Sequence, residues 1–126
     1  IIRQMAKDLN FDIDIRGGKI VREKDGLAMS SRNAYLKPGQ RPAALSLSQS
    51  LREAQAQVAA GLIQAEQIVA GARARIGAHP ETAIDYIVIV DPETLEEVAV
   101  IDRPVRMAMA VAVGTTRLID NMPLVP

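Results

Sequence analysis

The 126-residue chain has no cysteine and no tryptophan, one phenylalanine, two tyrosines and one histidine. The lack of cysteine excludes disulfides, thiolate zinc sites and thiol nucleophiles, and it fits a cytoplasmic protein. The lone histidine, His79, precedes Pro80 in an expected surface loop. One imidazole leaves almost no room for a His-based metal cluster or a Ser-His-Asp triad. Fifteen basic and fifteen acidic residues cancel, so charge does not direct the chain to nucleic acid or to an anionic membrane. The shortage of aromatic platforms argues the same way for single strands. No apolar run approaches the roughly 20 residues that a bilayer-spanning helix needs, and no signal peptide is visible. What is present, 48% hydrophobic residues, suffices for one folded domain around one aliphatic core.

Ile1, Ile2, Met5 and Leu9 are spaced as on a helix with no cap before them. They read as the last turns of a helix stopped at Asn10, so the chain is expected to be part of something larger. Phe11–Ile15 alternates Phe, Asp, Ile, Asp, Ile as a half-buried strand does. Gly17-Gly18 breaks it, Lys19–Arg22 is a second short extended piece, and Asp25-Gly26 signals a turn. Ala44, Leu47, Leu51, Ala54 and Val58 predict an amphipathic helix over about 39–60, with Pro42 in its first turn and Gly61 as its stop. Ala65, Ile68, Val69, Ala72 and Ile76 predict a second helix over about 64–77, giving an αα-hairpin. Gly71 inside the second helix is expected to weaken it in exchange for close packing.

After Pro80 the period changes. Ile84–Val90 and Val105–Val113 read as strands. In the latter, Met107, Met109, Val111 and Val113 line one face, while Ala108, Ala110 and Ala112 line another that is small enough for a helix to lie close. Gly114 permits a tight reversal into an antiparallel return over Thr116–Asp120. The expected fold is α+β, a small antiparallel sheet of about three strands packed with two main helices.

Chemistry concentrates in Val21–Leu36, VREKDGLAMSSRNAYL. Ser30, Ser31 and Arg32 place two hydroxyls and a permanently charged fork side by side, which suits the oxygens of a polyphosphate. Ser-Ser-Arg-Asn is also an ordinary helix start, with Ser30, Ser31 or Asn33 as the cap. On the functional reading, Val21 and Met29 lie against a flat apolar ligand and Arg32 gathers charge as pyrophosphate leaves. Glu23 and Asp25 can approach Mg²⁺, although two acids around a glycine turn are more often solvated. Glu93, Glu96 and Glu97 mark an exposed turn, and Arg73 and Arg75 an outward helix face. In Gly114-Thr115-Thr116-Arg117, Arg117 either binds an anion or pairs with Asp120 or Asp102. No residue here supplies a nucleophile or base, and no metal ligand set is expected.

Over these residues the chain resembles the pantoate–β-alanine ligase (pantothenate synthetase) family, specifically its C-terminal domain. REKDGLAMSSRNAYL is similar to that family's form of the KMSKS-type loop of adenylate-forming nucleotidyltransferases. Ile84–Thr94, Met107–Val113 and Gly114–Asn121 agree in order and spacing. Residues 1–16 resemble the last helix and strand of the family's N-terminal Rossmann-type domain, which leaves 17–126 as the C-terminal lid. The resemblance implies ligation in two steps through pantoyl adenylate. The substrates are pantoate, β-alanine and Mg·ATP, the last bound largely by the N-terminal domain. It also implies contacts from Val21 and Met29 to adenosine, and from Ser30, Ser31 and Arg32 to the phosphates. Arg stands where the wider superfamily offers Lys, which keeps the charge and adds a fork. The family's His-x-Gly-His motif, pantoate-contacting glutamines and phosphate-binding lysine are not among these residues, so the chain alone is expected to be inactive. The alternative is a stand-alone α+β module that binds a nucleotide or a protein partner, including a second copy of itself.

Overall fold

Two periodicities divide the chain, and the backbone follows both. The computed structural model describes all 126 residues, Ile1–Pro126. Helix α1 (Ile2–Asp8) leads into a long irregular stretch, then 3-10 turns at Ser31–Tyr35 and Pro38–Gln40. Helices α2 (Arg41–Ala59) and α3 (Ala65–Gly77) precede strands β1 (Thr82–Val90), β2 (Val105–Val113) and β3 (Thr116–Leu124). The strands form one antiparallel sheet in the order β1-β2-β3. The α+β expectation therefore holds, with α2 over β2 and β3, and α3 over β1.

The core is aliphatic, as the composition requires. Leu47, Leu51, Val58, Ile68 and Ile76 from the helices meet Met107, Met109, Val111 and Val113 of β2. Met side chains adapt to gaps where no aromatic is present to fill them. The helices cover this large-residue face, not the Ala108/Ala110/Ala112 face, where close helix packing was expected. Burying Met and Val beneath the helices removes more apolar surface from water than burying alanines. On the other face Ala110 lies between its cross-strand neighbours Tyr86 and Ile119, both exposed.

Gly114 and Thr115 connect β2 to β3, with Val113 paired to Thr116. Gly114 has φ +58° while Thr115 is not in the left-handed region, the combination a type II′ hairpin requires. A Cβ there would also run into the side-chain amide of Gln40. Strand β3 runs on to Leu124, past the expected Asp120, because an edge strand tolerates Pro123. The Pro123 carbonyl accepts a bond from Gln55 Nε2 at 3.0 Å.

Two further expectations fail. Phe11–Ile15 is not a strand, since no other chain segment lies beside it to complete a ladder. Instead Arg3 Nε donates to the Ile15 carbonyl at 3.0 Å, and Phe11 and Ile13 stay exposed. Asn10 does stop α1 in the left-handed conformation, φ +53°. Gly71 is the other failure: nothing lies within 4 Å of where its Cβ would stand, so it permits no close approach.

Two substitutions test this packing by urea unfolding. Leu51→Ala, at a fully buried position, should cost about 2–5 kcal/mol through lost burial and a residual cavity. Gly71→Ala should stabilise the chain by about 0.5–1 kcal/mol, because open space lets the better helix former act unopposed.

Candidate functional site

The segment before α2 folds on itself first. Arg22 bridges Ala28, the Glu23 N–H donates to the Leu27 carbonyl at 2.8 Å, and the Met29 N–H donates to the Val21 carbonyl at 2.9 Å. This short hairpin turns at Gly26, φ +98°, against which the Arg52 guanidinium packs so closely that a Cβ would stand 2.6 Å from Nη1. Val21 and Met29 are thereby neighbours at its open end, 65% and 63% exposed. Ser30 then caps the Ser31–Tyr35 turn, its Oγ accepting from the Arg32 N–H at 3.2 Å. The cap reading of Ser30 is thus correct, and the cap leaves the Arg32 side chain in solvent.

Three ionic ties fasten the segment to the domain. Arg22 is bidentate to Asp120 of β3, with Nη1 to Oδ2 at 2.6 Å and Nη2 to Oδ1 at 2.9 Å. Arg41, at the start of α2, reaches Glu23 Oε2 at 2.5 Å and Asp25 Oδ2 at 2.8 Å. Asn33 Nδ2 donates to Glu23 Oε1 at 2.5 Å and to the Ala28 carbonyl at 3.0 Å, which leaves its Oδ1 buried and unpartnered. Glu23 and Asp25 stay partly solvated, but Arg41 occupies both and no third acid joins them to make a cation site.

A cavity of about 160 Å³ opens between this segment and β3. Met29, Ser30, Arg32 and Asn33 line one side, with Arg117, Leu118, Ile119 and Asp120 on the other. A shallower cleft beside it joins Arg32 and Tyr35 to Thr115, Thr116 and Arg117. The two hydroxyl-and-arginine motifs, far apart in sequence, thus share walls. Ser31 and Val21 stand outside both clefts, on the exposed flank. Arg117 pairs with neither Asp120 nor Asp102 but with Asp85, at 2.7 and 3.1 Å. Among the arginines only Arg32 and Arg73 donate no side-chain hydrogen bond. Arg32 is accordingly the one uncommitted guanidinium at these clefts.

The Arg41 hydrogen bond holds the Glu23 carboxyl below its ordinary value, with help from Asn33. Arg41 does the same for Asp25, with help from the Leu27 N–H. Groups depressed in the folded state contribute stability that is full above their unfolded values. That contribution is lost as pH falls through the folded ones, here below about pH 4. Exposure and screening keep it small. Arg41→Gln should therefore lower the melting temperature at pH 6, and the difference from the parent should be smaller at pH 3. An equal difference at both pH values in thermal melts would refute this role for the pair.

A family model described as Pantoate-beta-alanine ligase matches residues 1–123. A pantothenate synthetase of Desulfatibacillum aliphaticivorans is 54% identical over 126 residues, all of this chain and 45% of the relative. One from Syntrophobacter fumaroxidans is 54% identical over 125 residues, 99% of this chain and 44% of the relative. The crystal structure of pantothenate synthetase from Thermus thermophilus superposes with a TM-score of 0.91 at 35% identity, covering 99% of this chain and 45% of that one. The chain spans about half the length of the curated relatives it matches.

Proposed function

The chain belongs to the pantoate–β-alanine ligase family, and from that premise we propose that residues 17–126 are the nucleotide lid of an ATP-dependent, AMP-forming ligase. In the proposed reaction a pantoate carboxylate oxygen attacks the α-phosphorus of Mg·ATP, and the bond to pyrophosphate breaks. The β-alanine amine then attacks the acyl carbon of pantoyl adenylate, releasing AMP and forming pantothenate. The enzyme acts in the cytoplasm on these small molecules, and residues 1–16 belong to a preceding Rossmann-type domain. The apolar side chains of Ile2, Met5, Leu9 and Phe11, each about half exposed or more, support that boundary.

The observation that carries the reading is the unpaired Arg32 guanidinium on a turn capped by Ser30, beside the exposed Val21–Met29 pair. Val21 and Met29 lie against the adenosine. Ser30 and Ser31 donate to phosphate oxygens, and Arg32 draws off charge as pyrophosphate departs. That charge grows toward the transition state, so the interaction lowers the barrier and not only the ground state. Closure of the lid keeps water from a hydrolysable acyl adenylate. This chain contributes no ligand set for Mg²⁺, because Glu23 and Asp25 are held by Arg41. The metal therefore comes with the nucleotide.

In the intact ligase, Arg32→Ala should lower the rate of ATP–pyrophosphate exchange by roughly two to three orders of magnitude, as loss of one charge-stabilising donor does. Unchanged exchange would end the role given to Arg32. The isolated chain should make no pantothenate from pantoate, β-alanine and ATP in a coupled assay. Turnover by the chain alone would show that the lid assignment is wrong.

A further inference from the structure

The lid reading leaves one buried charge unused, the Asp120 carboxylate. Its side chain is 2% exposed, and its partner Arg22 is 19% exposed. Both oxygens are engaged: Oδ2 accepts from Arg22 Nη1, while Oδ1 accepts from Nη2 and from the Asn121 N–H at 2.8 Å. Three of its lone-pair sites are filled, two of them by Arg22, so within this chain Asp120 serves to hold the Arg22 fork. The Arg22 fork then closes back on its own hairpin, Nη1 donating to the Gly26 carbonyl at 3.1 Å. Arg22 directly follows Val21 and bridges Ala28, which directly precedes Met29. The guanidinium therefore fixes both strands of the hairpin at one height over β3. A planar two-point contact sets orientation as well as distance, which a single ammonium cannot do.

Resting on the lid reading, we propose that Asp120 is a positioning residue for nucleotide binding. Through Arg22 it holds the Val21–Met29 pair and the Ser30–Arg32 turn in the arrangement that receives ATP, before ATP arrives. Glu23, Asp25 and Arg41 tie the far end of the hairpin to α2, so the turn at Gly26 is held independently. Breaking the Asp120 tie lets the open end move while the turn stays anchored. The defect falls on the ligand-facing residues.

The test uses the intact ligase well below its melting transition, with Asp120→Asn and Arg22→Lys. The first removes the charge and one acceptor at nearly constant volume, and the second keeps the charge and loses the fork. Both should raise the KM for ATP by roughly tenfold or more, as misplacement of binding groups does, while the KM for pantoate stays within about twofold. A purely structural role would lower kcat through the folded fraction and leave both KM values alone, and that result overturns the proposal. If Asp120→Asn does not fold, Arg22→Lys decides by the same split. Arg32→Ala runs beside them. If it also leaves the ATP parameters unchanged, the lid reading itself has failed. If it impairs adenylation while the other two do not, only the positioning role falls.

Discussion

Met107, Met109, Val111 and Val113 alternate along β2 and are fully buried, and the places of both neighbouring strands and both long helices follow from that stripe. The stripe requires a cover, which α2 and α3 provide, and the Gly114 turn sets β3 in register beside it. Register decides which β3 residues face inward. Leu118, Met122 and Leu124 do so as apolar residues, and Asp120 shares their face by the period of two. A carboxylate there is tolerable only if its charge is matched and its lone pairs are filled. Arg22 matches the charge and, with the Asn121 N–H, fills three of those lone-pair sites, so the placement of the Val21–Arg32 loop traces back to the packing of the central strand.

Measured as stability, the loop's ties contribute unequally. The Arg41 contacts to Glu23 and Asp25 are partly exposed, and such pairs are worth little against salt and side-chain entropy. The Arg22–Asp120 pair is more deeply buried, and removing Arg22 would strand the buried Asp120 charge. Ties of both kinds matter more for geometry than for net free energy. The segment Lys19–Ser30 has no helix and only one bridge of sheet pairing, so without them little would distinguish one loop conformation from many.

Local periodicity made most of the fold legible. Ala44, Leu47, Leu51, Ala54 and Val58 mark α2, and Val105–Val113 was readable to the residue, because burial imposes its period directly on the sequence. The long-range ionic partners were not legible. Arg22 and Asp120 are 98 positions apart, and a net-neutral chain offers each arginine many acids. Only strand register selects among them, which is why Arg117 went to Asp85 across the sheet and not to the expected Asp120 or Asp102. The Phe11–Ile15 alternation reads as a half-buried strand, but a strand exists only with a neighbour, and none lies beside it here. Gly71 misled because glycine in a helix is read as a packing residue, whereas here it meets open space.

The distribution of partners among the arginines also bears on function. Arg22, Arg41, Arg75, Arg103 and Arg117 each hold a carboxylate. For any of these to take up a phosphate, it must first release its bond to a carboxylate, which costs little for the exposed pairs and more for the buried Arg22–Asp120 pair. That carboxylate competes with the incoming phosphate for the same fork. Arg32 has no such bond to release: the Ser30 cap fixes its backbone while its fork remains in solvent. A residue whose main chain is ordered and whose side chain is unpaired binds an incoming anion with little rearrangement. In a loop otherwise saturated with internal ion pairs, that contrast is the ground for proposing Arg32 as the group that acts on a ligand and the other arginines as those that hold the loop in place.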